Sequence, residues 1–220
     1  MGDYISVLTD NLDELLAGFW VTVRIVVFAF AIAMAVGTLV AALRIAPSKL
    51  LQRIGGIYVE TFRNIPLLVL LFISFAGLRR AGADIGPWEA GIASLGLYTA
   101  AYVAEALRSG VFSVSKGQIE AALSLGYTYR QTLRRIVFPQ AFRTVISPLG
   151  SLIIAMIKNS AILGGSILAL DDILKTGRII ASRSFEVIPA FVWAASGYLI
   201  LTGLATLAIR MLETRYAVRR

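Results

Sequence analysis

The sequence predicts an all-α, polytopic membrane protein with five spans, and three observations predict it. Of the 220 residues, 58% are hydrophobic and 15% charged, with a mean hydropathy of +0.79, a balance of integral membrane proteins rather than soluble globules. Five segments, about 19–43, 57–78, 88–110, 145–166 and 188–211, hold the roughly 20 apolar residues a helix needs to cross about 30 Å of hydrocarbon. Within hydrocarbon every backbone polar group must be bonded inside its own segment, which makes these segments helices. Residues 1–220 read as a single membrane domain with no low-complexity linker.

The first span carries one charge, Arg24, and places Ala33, Gly37 and Ala41 at four-residue spacing. Small residues so spaced let helices approach closely, although Ala and Gly are common in any apolar helix. Asp3, Asp10, Asp13 and Glu14 precede this span without a basic stretch, so the start does not read as a signal peptide. The second span carries Glu60 and Arg63, and the third Glu105 and Arg108. Each pair is three apart and is expected to meet on one helix face. Ionisable groups in a span pair, snorkel or line a polar path, so both pairs are structural neutralisers or parts of an inner gate. Tyr98, Thr99 and Tyr102 lie near mid-span, to line a path or to pack.

The fourth span contains Pro148, Lys158, Asn159 and Gly164-Gly165 and is expected to be irregular toward its far end. Lys158 with Asn159 and Ser160 offers one cation and two neutral hydrogen-bonding groups, which suits a carboxylate. The same lysine could equally snorkel or pair within the bundle.

Charge sets the orientation. Arg44, Lys49 and Arg53 follow the first span; Arg108, Lys116, Arg130, Arg134, Arg135 and Arg143 surround the long loop; Arg210, Arg215, Arg219 and Arg220 form the tail. The other side holds Arg79, Arg80, Lys175, Arg178, Arg183 and most acidic residues. The positive-inside rule then expects the N-terminus outside and the long loop and C-terminus in the cytoplasm. The net charge of +8 belongs to this asymmetry and not to nucleic acid. With no Cys and no His, thiol and imidazole chemistry and Cys or His metal ligation are excluded. No Gly-rich phosphate loop is present, because Lys175-Thr176 follows Leu174 and not Gly, so any ATPase is another polypeptide.

The loop at about 113–143 is longer than a connection requires. It predicts a short helix over 117–125, a turn at Gly126 and a second helix over 127–137 that Pro139 ends. Ala121 and Ala122 keep the first helix slim enough for a groove on a partner, and Glu120 offers an anchoring charge. An interfacial helix pair lying on the membrane fits the charge and periodicity equally well.

The spacing Glu120-Ala121-Ala122, three residues, Gly126, nine residues, Ile136-Val137-Phe138-Pro139 resembles the EAA loop of ATP-binding-cassette importer permeases, with Phe138 where that pattern has Leu. Val59-Glu60-Thr61-Phe62-Arg63-Asn64-Ile65-Pro66-Leu67-Leu68, Ala101 to Gly110, Lys116-Gly117-Gln118 and Ile157-Lys158-Asn159-Ser160 are similar to signatures of the polar amino-acid uptake members, across most of 12–212. Ala161 and Gly164 depart from them, where the family has hydroxyl residues.

The resemblance implies the type I importer fold: ten spans from two permease subunits, identical or homologous, around a two-fold axis, with two cytoplasmic ATPases and an extracellular or periplasmic binding protein. It implies a multi-pass location in a bacterial cell (inner) membrane and import of a polar amino acid, acidic ones such as glutamate slightly favoured. Lys116, Gly117, Glu120, Ala121, Ala122, Gly126, Ile136 and Pro139 would couple to the ATPase. Lys158, Asn159, Ser160, Tyr98 and Tyr102 would line the substrate path, and Glu60, Arg63, Glu105 and Arg108 would form the inner gate or structural pairs. No metal or cofactor is expected on this chain, since ATP and magnesium belong to the ATPase. Because they carry the intramembrane polar groups, the second to fourth spans are expected near the axis, with the first facing lipid and wrapping the partner subunit. The alternatives are an ATP-independent channel or secondary carrier and an intramembrane enzyme using Glu60 and Glu105.

Overall fold

The computed structural model describes residues 2–216, which leaves the tail residues Arg219 and Arg220 and the side chain of Asp3 outside the described residues. Helices α1 (Gly2–Asp10), α2 (Leu12–Ile45), α3 (Lys49–Asn64), α4 (Leu67–Arg80) and α5 (Pro87–Phe112) come first. They are followed by α6 (Lys116–Ser124), α7 (Tyr129–Gly165), α8 (Ile173–Ser184) and α9 (Val187–Tyr216). Helices α2, α5, α7 and α9 are each long and apolar enough to cross a membrane alone.

The small residues of α2 form a packing seam. A Cβ on Gly37 would lie 2.7 Å from the Cβ of Val103 on α5, and Ala33 and Ala41 are buried beside it. Gly96 answers from α5, where a Cβ would lie 2.8 Å from Ile32. Of the two readings of the Ala33, Gly37, Ala41 spacing, close approach is therefore the one realised. The first span is also not simply a lipid-facing helix: Ile25 and Ala29 are fully buried, while Trp20, Val27, Phe28 and Leu39 on the other side are exposed.

The expected second span, 57–78, is two helices. Pro66 has no N–H to continue the ladder and forces Ile65 into an extended conformation (φ −89°, ψ 128°), and the axes of α3 and α4 differ by 102°. Helix α3 lies against α2 and α5 through Gly55 and Val59. In α4, Leu67 and Leu71 enter the main core. A π-helical turn at Ile73–Gly77 follows in α4, and its Ser74 Oγ lies 2.6 Å from Ser94 Oγ on α5.

Pro139 does not end the second loop helix, as the sequence reading expected; α7 runs unbroken from Tyr129 to Gly165. A π-helical turn at Leu133–Val137 immediately precedes the proline. Proline clashes with the carbonyl one α-turn back, and the wider i→i+5 pairing moves that carbonyl aside. Nor is the helix irregular at Lys158 and Asn159. Irregular backbone begins only at Ser166, and the link to α8 passes through Ala169 at φ 45°.

The core lies between α2, α4, α5 and α7, around Ile25, Leu71, Leu95, Met156, Ile157 and Leu163. Helix α9 shows apolar side chains outward, with Leu199, Ile200, Leu204 and Leu207 all more than half exposed, the surface a lipid environment requires.

Candidate functional site

Helix α6 starts after Ser115 and ends in a Schellman motif. Gly126 takes φ 83°, its N–H donates to the Leu123 carbonyl (3.0 Å), and the Tyr127 N–H donates to the Ala122 carbonyl (3.1 Å). Thr128 and Gln131 then form a reciprocal capping box that starts α7. Two local signals thus turn the chain within four residues. The turn leaves Lys116, Gly117, Glu120, Ala121 and Leu125 exposed and buries Ala122 against its own chain. Ile136 is half-buried in the π-helical turn, Pro139 is exposed, and the Arg135 guanidinium sits 5.9 Å from the centre of the Tyr127 ring.

At the same end of the bundle, Glu105 forms ion pairs with Arg44 of α2 and with Arg108, the latter at 3.4 Å. The third-span pair therefore meets. The second-span pair does not: Arg63 lies 5.4 Å from the centre of the Tyr102 ring, and Glu60 forms no ion pair with it. The cation takes the aromatic face of the neighbouring helix instead of the carboxylate one turn below. Arg44 went unnoticed in the sequence because it appeared only as a loop charge. Arg63, Glu105, Ser109, Ser113, Thr144 and Pro148 line a cavity of about 350 Å³ here.

A second cavity, of about 220 Å³, brings together Tyr98, Thr99, Tyr102 and Asn159 with Leu152, Ala155 and Met156. The Tyr98 and Tyr102 hydroxyls lie 3.1 Å apart. Ser160 is not part of it; its Oγ is buried and donates to the Ile157 carbonyl at 2.7 Å. Lys158 is exposed and outside the cavity lining, but it continues an exposed stripe on α7. That stripe runs Thr144, Ser147, Ser151, Lys158 at three-, four- and seven-residue spacing, one helix face. A span that turns a hydroxyl-rich face outward is unsuited to lipid, in contrast to α9.

The sequence reading missed Asp172. This side chain is fully buried; its Oδ1 accepts the Lys175 N–H (2.8 Å) and caps α8, and its Oδ2 accepts the Tyr198 hydroxyl (3.2 Å). Thr22 Oγ1 of α2 accepts the neighbouring Ile173 N–H at 3.2 Å. Burial pushes the Asp172 carboxyl up to about 6, against the opposing pull of these donors and the Gly164 and Leu174 amides. A Cβ on Gly164 would collide with Asp172, which explains the glycine where the resemblance expects serine. Asp172-Ile173-Leu174-Lys175 had the form of a helix start, the one signal that could have found it.

Residues 33–218 match the family model for the binding-protein-dependent transport system inner membrane component. The chain is 40% identical over 211 residues to the probable glutamine ABC transporter permease protein GlnM of Bacillus subtilis, covering 96% of this chain and 97% of that one. It is 39% identical over 220 residues to the glutamate transport system permease protein GluC of Corynebacterium efficiens, covering 94% and 96%. A crystal structure of an amino acid ABC transporter with histidines superposes with a TM-score of 0.89 at 29% identity, covering 94% of this chain and 96% of that one. The broken α3–α4 unit, the four long helices and the α6 turn are thus those of a transport component and not of an enzyme: the chain belongs to the binding-protein-dependent transport system inner membrane component family.

Proposed function

We propose that this chain is the membrane-spanning permease subunit of an ATP-driven importer of a polar amino acid, glutamine or glutamate before others. It works with a second permease, two cytoplasmic ATPases that hold the ATP and magnesium, and a binding protein outside the membrane. The N-terminus lies outside and the α6 turn and C-terminus in the cytoplasm. The observation that carries this reading is the polar stripe of α7 beside the Tyr98–Tyr102–Asn159 cavity, a water-compatible wall on a span that a second subunit would complete. The uncharged lining of that cavity suits a carboxamide as well as a carboxylate, and Lys158 stands beside it on the stripe. The exposed Glu120, Ala121 and Leu125 present α6 to an ATPase groove, and the Arg44–Glu105–Arg108 cluster with Arg63 serves as the inner gate.

Because the chain has no native cysteine, Ser151→Cys and Leu204→Cys test the wall directly. In the assembled transporter, a water-soluble thiol reagent is expected to label position 151, more slowly when amino acid and ATP are supplied, and to spare position 204. Equal labelling of both, unaffected by substrate, would remove the wall. Uptake of labelled glutamine competed by unlabelled glutamate separates the two cargoes.

A further inference from the structure

Helix α3 has three faces, and among the described residues one of them packs against the bundle. Gly55, Val59 and Phe62 face the bundle, where a Cβ on Gly55 would meet Leu43 at 3.3 Å and Val59 is 3% exposed. On the opposite side Leu50, Ile54 and Ile57 follow one another at helical spacing and are 68%, 49% and 59% exposed. Lys49 and Arg53, both exposed, form a row roughly 65 to 105° around the helix from the middle of that apolar row. The 102° bend at Ile65–Pro66 sets α3 crosswise to α4, so the two cannot cross the bilayer as one straight span. An exposed apolar row flanked by a cationic row is the pattern of a helix lying in the membrane interface, where the apolar side chains enter the acyl region and the cations reach headgroup phosphates.

We propose that α3 is an in-plane interfacial helix whose Lys49 and Arg53 bind the phosphates of anionic lipids, and that this binding regulates transport. The two cations match the headgroup charge. The same helix ends at Arg63, which stacks on Tyr102 between the two cavities. Holding α3 in the interface therefore holds Arg63 at the path, and anionic lipid favours the arrangement seen here.

The test uses the full transporter complex in vesicles of phosphatidylcholine alone or mixed with phosphatidylglycerol. Spin labels at Ile54→Cys and Ile57→Cys are expected to relax with oxygen, which partitions into lipid, and those at Lys49→Cys and Gln52→Cys with a water-soluble nickel chelate. Phosphatidylglycerol is expected to raise the transport rate of wild type. Lys49→Gln with Arg53→Gln, both on the exposed surface, is expected to lose that response and to bind phosphatidylglycerol roughly thirty-fold more weakly, about five-fold per charge. Positions 54 and 57 shielded from both relaxants, or cross-linked to a second permease, would overturn the proposal in favour of a subunit interface. An unchanged lipid response in the double variant would overturn the phosphate site.

Discussion

Individual side chains divide into those that shape backbone and those that hold charge. Gly126 belongs to the first group: among the described residues nothing lies within 4 Å of a Cβ placed there, yet its φ of 83° is one that a β-branched residue adopts only with strain. Gly126→Val is therefore expected to cost about 1–2 kcal/mol in the turn alone. Membrane insertion should persist while ATPase copurification and transport fall together, and normal coupling in this variant would detach the turn from that role. Asp172 belongs to the second group. Its carboxyl rises from 3.8 to about 6 on folding, so the folded state holds the proton more tightly. That contribution to stability is complete below about pH 3.8 and is lost as the pH climbs through 6, a cost of roughly 3 kcal/mol at neutral pH. Wild type is expected to lose thermal stability between pH 5 and pH 8, and Asp172→Asn, which keeps an oxygen for the Lys175 N–H, is expected to flatten that fall. An equal loss of stability at both values would mean that the ionised form is the one the fold requires.

Among the elements, what was legible in the sequence was local. Apolar length located the long helices, and Gly126 located the turn before α7, because propensity and turn chemistry act over a few residues; the Thr128–Gln131 capping box beside it was as local but went unread. The bend at Pro66 was not visible, because an apolar run on either side of a proline has the same hydropathy whether the chain goes straight or turns. Pro139 was misread in the opposite sense, since a π-helical turn is invisible to a period of 3.6. The partners of Glu105 and Asp172 were out of reach for another reason: Arg44 and Tyr198 come from distant spans, and no spacing rule joins them. The α2–α5 seam stands between these cases, with its small residues visible and its partner not. Gly37→Leu would drive a side chain into Val103 and the Ala100 carbonyl, which a Cβ would already meet at 2.7 and 2.9 Å. Overpacking of this kind is expected to cost about 1–3 kcal/mol, read as a lower unfolding temperature in detergent, whereas Leu39→Ala on the exposed side of α2 should change it little. The reverse ranking would place the seam on the other face.

For the whole molecule the question is which surface meets lipid and which meets a partner. Helix α5 is held on several sides by α2, α3 and α7, so it forms the centre of the single subunit rather than an edge. Among the subunit's outward surfaces, those of α9 and α7 have opposite chemistry. That of α9 is mainly apolar, with Leu199, Ile200, Leu204 and Leu207 outward, and that of α7 carries Thr144, Ser147, Ser151 and Lys158. Thr144 is satisfied within the chain by the Ala141 carbonyl. The Lys158 ammonium group facing acyl chains would lose its hydration at high cost, whereas facing a second permease across a wet path it keeps water as a partner, as do Ser147 and Ser151. The assembled pair should therefore close α7 toward α7, with α9 at the periphery. A permease pair carrying Ser151→Cys in each subunit, treated in the membrane with a bifunctional thiol reagent, is expected to cross-link, and a pair carrying Leu204→Cys is not. Cross-linking at 204 without cross-linking at 151 would invert the assembly, put the apolar surface of α9 at the axis and leave the α7 stripe to be explained by lipid.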